Sequence, residues 1–194
     1  MQTKLAIIGA GGLGREFAAV IKNPKYRIEN QFLGYFDDGE EVGKIIEGFP
    51  ILGSITSISQ NWNVEIIIGI GSIQIRKKII SEIVKESKVV FFTIIHPSSI
   101  IENPKLVSIG TGVYLGAYCV LITNISVGNH SIIHNGCLIH HDVEIGENCI
   151  LMPGVRITSK CKIGDNSFIG SGTIISGNFD FPADSIISSG SVIY

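Results

Sequence analysis

A period of six governs the second half of the chain. Counting on from Ile109 in sixes gives Leu115, Leu121, Val127, Ile133, Ile139, Ile145, Leu151, Ile157, Ile163, Ile169, Ile175, Phe181, Ile187 and Ile193. All fifteen positions are large and apolar, and the register does not slip. Two residues before each stands a mostly small one, among them Cys119, Ser131, Cys137, Cys149, Cys161, Ser167 and Thr173. Glycine recurs one residue after, at Gly110, Gly116, Gly128, Gly146, Gly164 and Gly170. This is the hexapeptide signature of a parallel β-helix. Three hexads, eighteen residues, close one triangular coil, and fifteen hexads give five coils. The large and small residues point inward, and the glycine is expected to help the chain turn each corner. A coil buries its apolar face only by stacking on its neighbours.

The first half, to about Thr93, follows another rule. Lys4 to Ile8 reads as a buried strand, and Leu13 to Lys22 as a helix with Leu13, Phe17, Val20 and Ile21 on one face. Further strands are expected at Phe32 to Phe36, Glu65 to Ile70 and Val89 to Thr93, and a second amphipathic helix at Ile73 to Lys85. Asp37 to Gln60, rich in glycine, reads as a loop with a small hairpin and a short helix. Strands alternating with helices imply a parallel sheet. The fold class is therefore α/β followed by β.

Composition excludes several functions. Fifteen Lys and Arg against seventeen Asp and Glu, without a dense basic cluster, leave no footprint for nucleic acid. No apolar run approaches the ~20 residues of a spanning helix, so no membrane insertion is expected. The N-terminus lacks the marks of a secretory signal, which points to the cytoplasm. All four cysteines fall in the small inward position and read as reduced core residues. No zinc-binding spacing occurs, and no metal is expected.

Gly9-Ala10-Gly11-Gly12-Leu13-Gly14 follows a strand and opens a helix. Glycines let a backbone approach a phosphate, and a helix N-terminus supplies N–H groups and partial positive charge. The acidic pair Asp37-Asp38 comes later than the dinucleotide spacing asks, and the domain is short for two mononucleotide halves. A nucleotide or nucleotide-sugar pocket, a dinucleotide site and a structural turn are the three readings. Gly69-Ile70-Gly71-Ser72, then Arg76, lies on the same sheet edge. Arg76 either reaches a phosphate or belongs to a solvated helix face with Lys77 and Lys78.

His134, His140 and His141 interrupt the β-helix pattern, near a corner by count, and Asp142 follows. A His beside a carboxylate suits general-base work, since the carboxylate can fix the tautomer. Neighbouring residues of an extended strand point to opposite sides, so the two meet only if the chain bends there. Surface histidines and a metal site are the other readings. Residues eighteen apart stack, which puts His141, Ser159 and Gly177 in one column of small neighbours, a groove for a linear ligand.

These features together resemble the bacterial hexapeptide-repeat sugar acetyltransferases of the sialic-acid O-acetyltransferase and UDP-4-amino-sugar N-acetyltransferase type. The resemblance runs through Lys4 to Gly14, Tyr35-Phe36-Asp37-Asp38, Ile75 to Ile79, His96-Pro97-Ser98 and, most specifically, Ile139-His140-His141-Asp142-Val143-Glu144-Ile145-Gly146. It implies a Rossmann-like nucleotide-sugar-binding domain over 1–95 and a left-handed β-helix binding acetyl-CoA over 96–194. It implies His141 as general base and Asp142 as its orienting partner. Gly11, Gly12, Asp37 and Asp38 would hold the nucleotide; Gly71 and Arg76 join the candidate substrate set from their place on the same sheet edge, not from the resemblance. The family commonly carries Asn seven residues before the catalytic His; His134 stands there and joins the substrate set. Acetyl-CoA would lie along the β-helix between two subunits of a homotrimer, past Ser159, whose N–H would face the thioester, and Gly177. Relatives often have His at the position of Leu13, Asn near Ser72 and Ile73, and a longer C-terminal tail. The expected reaction is direct acetyl transfer to the amine of a nucleotide-linked amino sugar. An O-acetyltransferase acting on sialic acid, a non-catalytic trimeric scaffold and an NAD-dependent oxidoreductase are the alternatives.

Overall fold

A computed structural model describes residues 4–26, 31–60, 64–83 and 89–194. They form two compact units, Met1–Phe92 and Thr93–Tyr194. In the first, β1 (Lys4–Ile8), β2 (Gln31–Phe36), β3 (Ile45–Ile46), β4 (Phe49–Gly53), β5 (Glu65–Ile68) and β6 (Val90–Phe91) make one sheet. Its order is β3-β4-β2-β1-β5-β6, parallel except for the β3–β4 hairpin. The expected hairpin is thus present, and its second strand also extends the sheet beside β2. Helix α1 (Gly12–Lys22) follows β1, and α2 (Ile73–Ile83) follows β5. Lys85, where the expected second helix was to end, lies outside the described residues. Helix α1 buries Phe17, Ala18, Val20 and Ile21, the stripe that its apolar spacing dictates. Helix α2 turns Ile79 and Ile83 onto a core with Ile66, Ile68 and Phe36. The ends of β1, β2 and β5 therefore bring Gly9–Gly12, Asp37–Asp38 and Gly69–Gly71 to one edge of the sheet, where open α/β sheets take ligands.

The second unit is a left-handed parallel β-helix of hexapeptide repeats. One face stacks β7 (Ile94–Ile95), β10 (Tyr114–Leu115), β12 (Ile132–Ile133), β14 (Ile150–Leu151), β16 (Phe168–Ile169) and β19 (Ile186–Ile187). A second face stacks β8 (Ile100–Ile101), the first halves of β11 (Val120–Val127), β13 (Leu138–Ile145) and β15 (Arg156–Ile163), then β17 (Ile174–Ile175) and β20 (Val192–Ile193). The third face joins β9 (Val107–Ile109), the second halves of β11, β13 and β15, and β18 (Asp180–Phe181). Partners are eighteen residues apart, as in Tyr114↔Ile132 and His141↔Ser159. The first coil is longer: Ile94 pairs with Tyr114 and Ile100 with Val120, twenty residues on, while Val107 pairs with Ile125 at eighteen. Two extra residues between Ile101 and Val107 hide this coil from a count in sixes, so the β-helix starts before Ile109.

The inward positions fill one continuous core from Val113 to Ile187. Burying each Ile or Leu there contributes roughly 1.5–3 kcal/mol. The four cysteines are free and fully buried in this core, and burial pushes the Cys149 thiol up to about 11.

The glycine that follows six of the fifteen large apolar residues is not the corner residue. A Cβ on Gly128 would lie 2.5 Å from the carbonyl carbon of Gly146, and one on Gly146 would lie 2.7 Å from the backbone N of Asp165. These glycines let successive coils approach. The left-handed backbone falls elsewhere, in three columns. Tyr118 heads Gly136, Gly154, Gly172 and Gly190; Gly112 heads His130, Asn148, Asn166 and Asp184; Asn124, Asp142 and Lys160 form the third.

Candidate active site

The sheet edge of the first unit has a structural and an open part. Gly9 has φ +96°, and a Cβ on Gly14 would lie 1.9 Å from the Gly9 carbonyl oxygen. A Cβ on Gly69 would lie 2.6 Å from the Gly14 Cα. Those three glycines pack helix against strand. Gly11, Gly12 and Gly71 meet nothing within 4 Å, so no neighbour in the described chain requires glycine there. Gly11 is the N-cap of α1 without a capping side-chain bond, and the first turn holds no acidic residue. Its N–H groups and dipole face that open edge.

The two aspartates shape this loop. Asp37 Oδ2 accepts the Ala10 N–H at 2.8 Å, and its Oδ1 accepts the Gly39 N–H at 2.8 Å. Asp38 Oδ1 accepts the Ile55 N–H at 2.8 Å. Both carboxylates thus fix backbone around the edge. Arg76 corrects both expectations held for it. It is fully buried, and Nη1 donates to the carbonyls of Ile68 at 2.6 Å and Ile70 at 3.3 Å. Its guanidinium, lowered to about 9 by burial, braces the end of β5 from inside and presents no charge to a phosphate or to solvent.

In the β-helix the site forms at a corner. Asp142 has φ 58°, so β13 bends between its two faces at that residue. Asp and Asn enter this left-handed region more readily than most residues, because a short polar side chain bonds locally. The bend brings Asp142 Oδ2 to 2.8 Å from His141 Nδ1. An ionised carboxylate only accepts, so Nδ1 donates its proton to Asp142, and in the neutral ring this leaves the lone pair on Nε2. Both side chains are partly open, His141 at 49% and Asp142 at 40%. Asp142 Oδ1 accepts from Asn124 Nδ2, one coil earlier. That bond, then the one to His141, holds the Asp142 carboxyl below the usual carboxylate range.

The three histidines do not share a corner. His134 follows β12, with its ring 6.3 Å from that of Tyr114 in an edge arrangement, and belongs to the preceding corner of the same coil. His140 and His141 lie within β13. The ladder joins His141 to Ser159 in register, as expected, and also to Thr123 one coil earlier, but stops short of Gly177. Beyond Ile157↔Ile175 pairing resumes only at Lys162↔Asp180, and Gly177 has φ 124°. The wall therefore breaks at Gly177 instead of continuing the column. Among the described residues no group of three His, Cys, Asp or Glu is placed to hold a metal.

A surface cavity of about 430 Å³ opens on the Asp142 side of the corner, and His141 is not among its walls. Asn124, Asp142 and Glu144 line it with Ser108, Ser126 and the inserted stretch Lys105-Leu106. Ser159 and Gly177 are not among its walls. Asn124 and Lys105 escaped the reading of the sequence. Asn124 was within reach of it, since eighteen residues before Asp142 is the same corner one coil down; Lys105 sits in the insertion that breaks the count.

Fold and site together define a two-unit hexapeptide β-helix protein with a His–carboxylate pair at a corner. Residues 4–83 match the family described as the PglD N-terminal domain, and residues 142–177 match bacterial transferase hexapeptide (six repeats). The two matches fall one in each unit, the first on the sheet-and-helix unit and the second on the β-helix. No curated protein sequence matches it. A histidine-to-asparagine variant of perosamine N-acetyltransferase from Caulobacter crescentus, in complex with CoA and GDP-perosamine, superposes with a TM-score of 0.86 at 22% identity, over 98% of this chain and 88% of that one. The acetyltransferase domain of PglB from Neisseria gonorrhoeae FA1090, in complex with acetyl coenzyme A, gives 0.68 at 22% identity over 100% and 93%. WeeI from Acinetobacter baumannii AYE gives 0.66 at 22% identity over 98% and 96%. No helix among the described residues is long and apolar enough to cross a membrane.

Proposed function

We propose that the protein transfers an acetyl group from acetyl-CoA to the amine of a nucleotide-linked amino sugar of the UDP-4-amino-4,6-dideoxy type. The observation that carries this is the hydrogen-bonded and partly exposed His141–Asp142 pair at a corner of a hexapeptide β-helix. Its Nε2 lone pair is free to take a proton. The neighbours of the same fold include one in complex with CoA and GDP-perosamine and one in complex with acetyl coenzyme A.

Acetyl-CoA, when bound, supplies the acetyl group as a thioester. His141 Nε2 accepts the proton of the acceptor amine as its nitrogen attacks the carbonyl carbon, and Asp142 stabilises the imidazolium that forms. The C–N bond forms, the C–S bond breaks, and the proton passes from His141 to the departing sulfur. The Ser159 N–H, one coil above His141, is our candidate donor to the oxyanion. Holding both substrates at one corner supplies rate through proximity. The cysteines are buried and take no part.

The open glycine edge of the first unit, with Gly11, Gly12 and Gly71, would bind the nucleotide, framed by Asp37 and Asp38. A homotrimer in the cytoplasm, with sites between subunits, would bring His134 of one chain to the substrate of another. Exposed Ile100, Ile186 and Val192 on the coil faces favour such contacts.

A thiol-release assay tests the proposal against UDP- and GDP-linked amino sugars, dTDP-amino sugars and free sialic acid. His141→Ala is expected to lower turnover on the amino sugar roughly 100-fold or more with the fold intact. Near-normal turnover in that variant removes His141 from the mechanism. Turnover on sialic acid alone moves the reaction to O-acetylation.

A further inference from the structure

Asp142 has two carboxylate oxygens, and the mechanism above uses one. Oδ2 faces His141, while Oδ1 accepts the side-chain N–H of Asn124 from the equivalent left-handed corner one coil down. We propose that Asn124 is a positioning residue of this site: its amide locks the Asp142 carboxylate in the one orientation that holds the His141 ring. The consequence for turnover rests on the reading of His141 as base; the geometry does not.

The lock is needed because the pair stands in the open. An exposed carboxylate samples several staggered rotamers, and an exposed ion pair holds its geometry weakly. A second bond to the far oxygen removes that freedom. Asn124 is suited to make it. Its φ of 53° is one that Asn tolerates, and its amide is a donor at the reach set by two stacked corners. Aspartate there would set a like charge against Asp142, and serine would fall short. The other charged groups around the carboxylate act differently. Lys160 occupies the same corner one coil on and lends positive charge at longer range. Glu144 lies on the same strand but pairs with Lys162 at 3.2 Å, and Lys105 lines the cavity opposite. Asn124 is also the largest cause of the low carboxyl pKa of Asp142, ahead of His141.

Two variants test this. Asn124→Gly keeps a residue at ease with the left-handed corner and deletes the donor. Asn124→Asp keeps size and corner tolerance but turns the donor into an acceptor. The first readout is the ¹⁵N spectrum of the five histidines, with His141 assigned by its loss in His141→Asn. The expected wild-type spectrum shows a single Nδ1–H tautomer at His141, and both variants show a mixture. The second readout is kinetic. The fall is expected in kcat, by about 10- to 100-fold as when outer-shell partners of functional histidines are lost, with KM for acetyl-CoA little changed. A single Nδ1–H tautomer retained in both variants overturns the proposal, as does a loss of activity confined to KM. If one variant fails to fold, the other decides. Full activity in His141→Ala would sink the proposed function, yet the tautomer spectra would still decide the role of Asn124.

Discussion

Asp142 serves two demands with one side chain, since it sits in left-handed backbone and its carboxylate orients His141. Its carboxyl is held below the usual range, first by Asn124 and then by His141. A carboxyl whose pKa is lower in the folded than in the unfolded chain stabilises the fold above the unfolded value and stops doing so as pH falls through the folded one. Asp142→Asn keeps the corner conformation and removes the charge. The expected result is a melting temperature below wild type by a constant amount above about pH 5, with the gap closing as pH falls below about 4. A gap that persists undiminished at low pH would show that the carboxylate's charge is not its source. Turnover at neutral pH is expected to fall with it, because an amide cannot stabilise an imidazolium as a carboxylate does.

At the scale of the coil, two kinds of tight position make opposite predictions. Gly128 is crowded by the backbone of the next coil, with φ in the ordinary range. Neither Gly146 nor Glu147 can move without shifting the ladder, so Gly128→Ala is expected to destabilise by about 1–3 kcal/mol, the range for overpacking. Tyr118 is the reverse case: an aromatic residue at φ 57°, 75% exposed, in a column otherwise made of Gly136, Gly154, Gly172 and Gly190. Tyr118→Gly relieves roughly 1–2 kcal/mol of left-handed strain and gives back about half of it as unfolded-chain entropy. A small net stabilisation is expected in chemical denaturation, and a marked loss would mean that the ring packs against a partner. The difference between these residues also explains what could be read without coordinates. The period of six was legible because inward positions admit only residues that fill a narrow core, and Ile139 or Ile157 declares itself by type. The corner columns were not, because left-handed backbone admits Tyr, Asn, Lys, Asp, His and Gly alike. The His141–Asp142 pair was legible as neighbours, while its geometry hung on a bend that no residue type announces. Arg76 misled because a cation after a glycine loop suggests phosphate, whereas this one is buried and donates to the carbonyls of Ile68 and Ile70.

The whole molecule has two cores, one between sheet and helices in Met1–Phe92 and one inside the β-helix of Thr93–Tyr194. Two cores permit two binding events, each stabilising its own unit by mass action. Acetyl-CoA at about 100 times its Kd stabilises whatever unit holds it by about 2.7 kcal/mol. Hydrogen exchange followed peptide by peptide separates the units in the intact protein. Acetyl-CoA is expected to slow exchange within residues 93–194, most in the peptides that carry Asn124, His141 and Ser159. A nucleotide-linked amino sugar is expected to slow it in the loops after β1, β2 and β5. NAD is expected to change neither, since the first unit lacks the second half of a dinucleotide fold. His141→Ala should keep both patterns, because an imidazole that moves a proton during transfer is not required for either ligand to bind. Protection by acetyl-CoA confined to residues 1–92 would reverse the assignment of the two units. Protection by the sugar alone would leave a binding scaffold, with the His141–Asp142 corner serving no transfer.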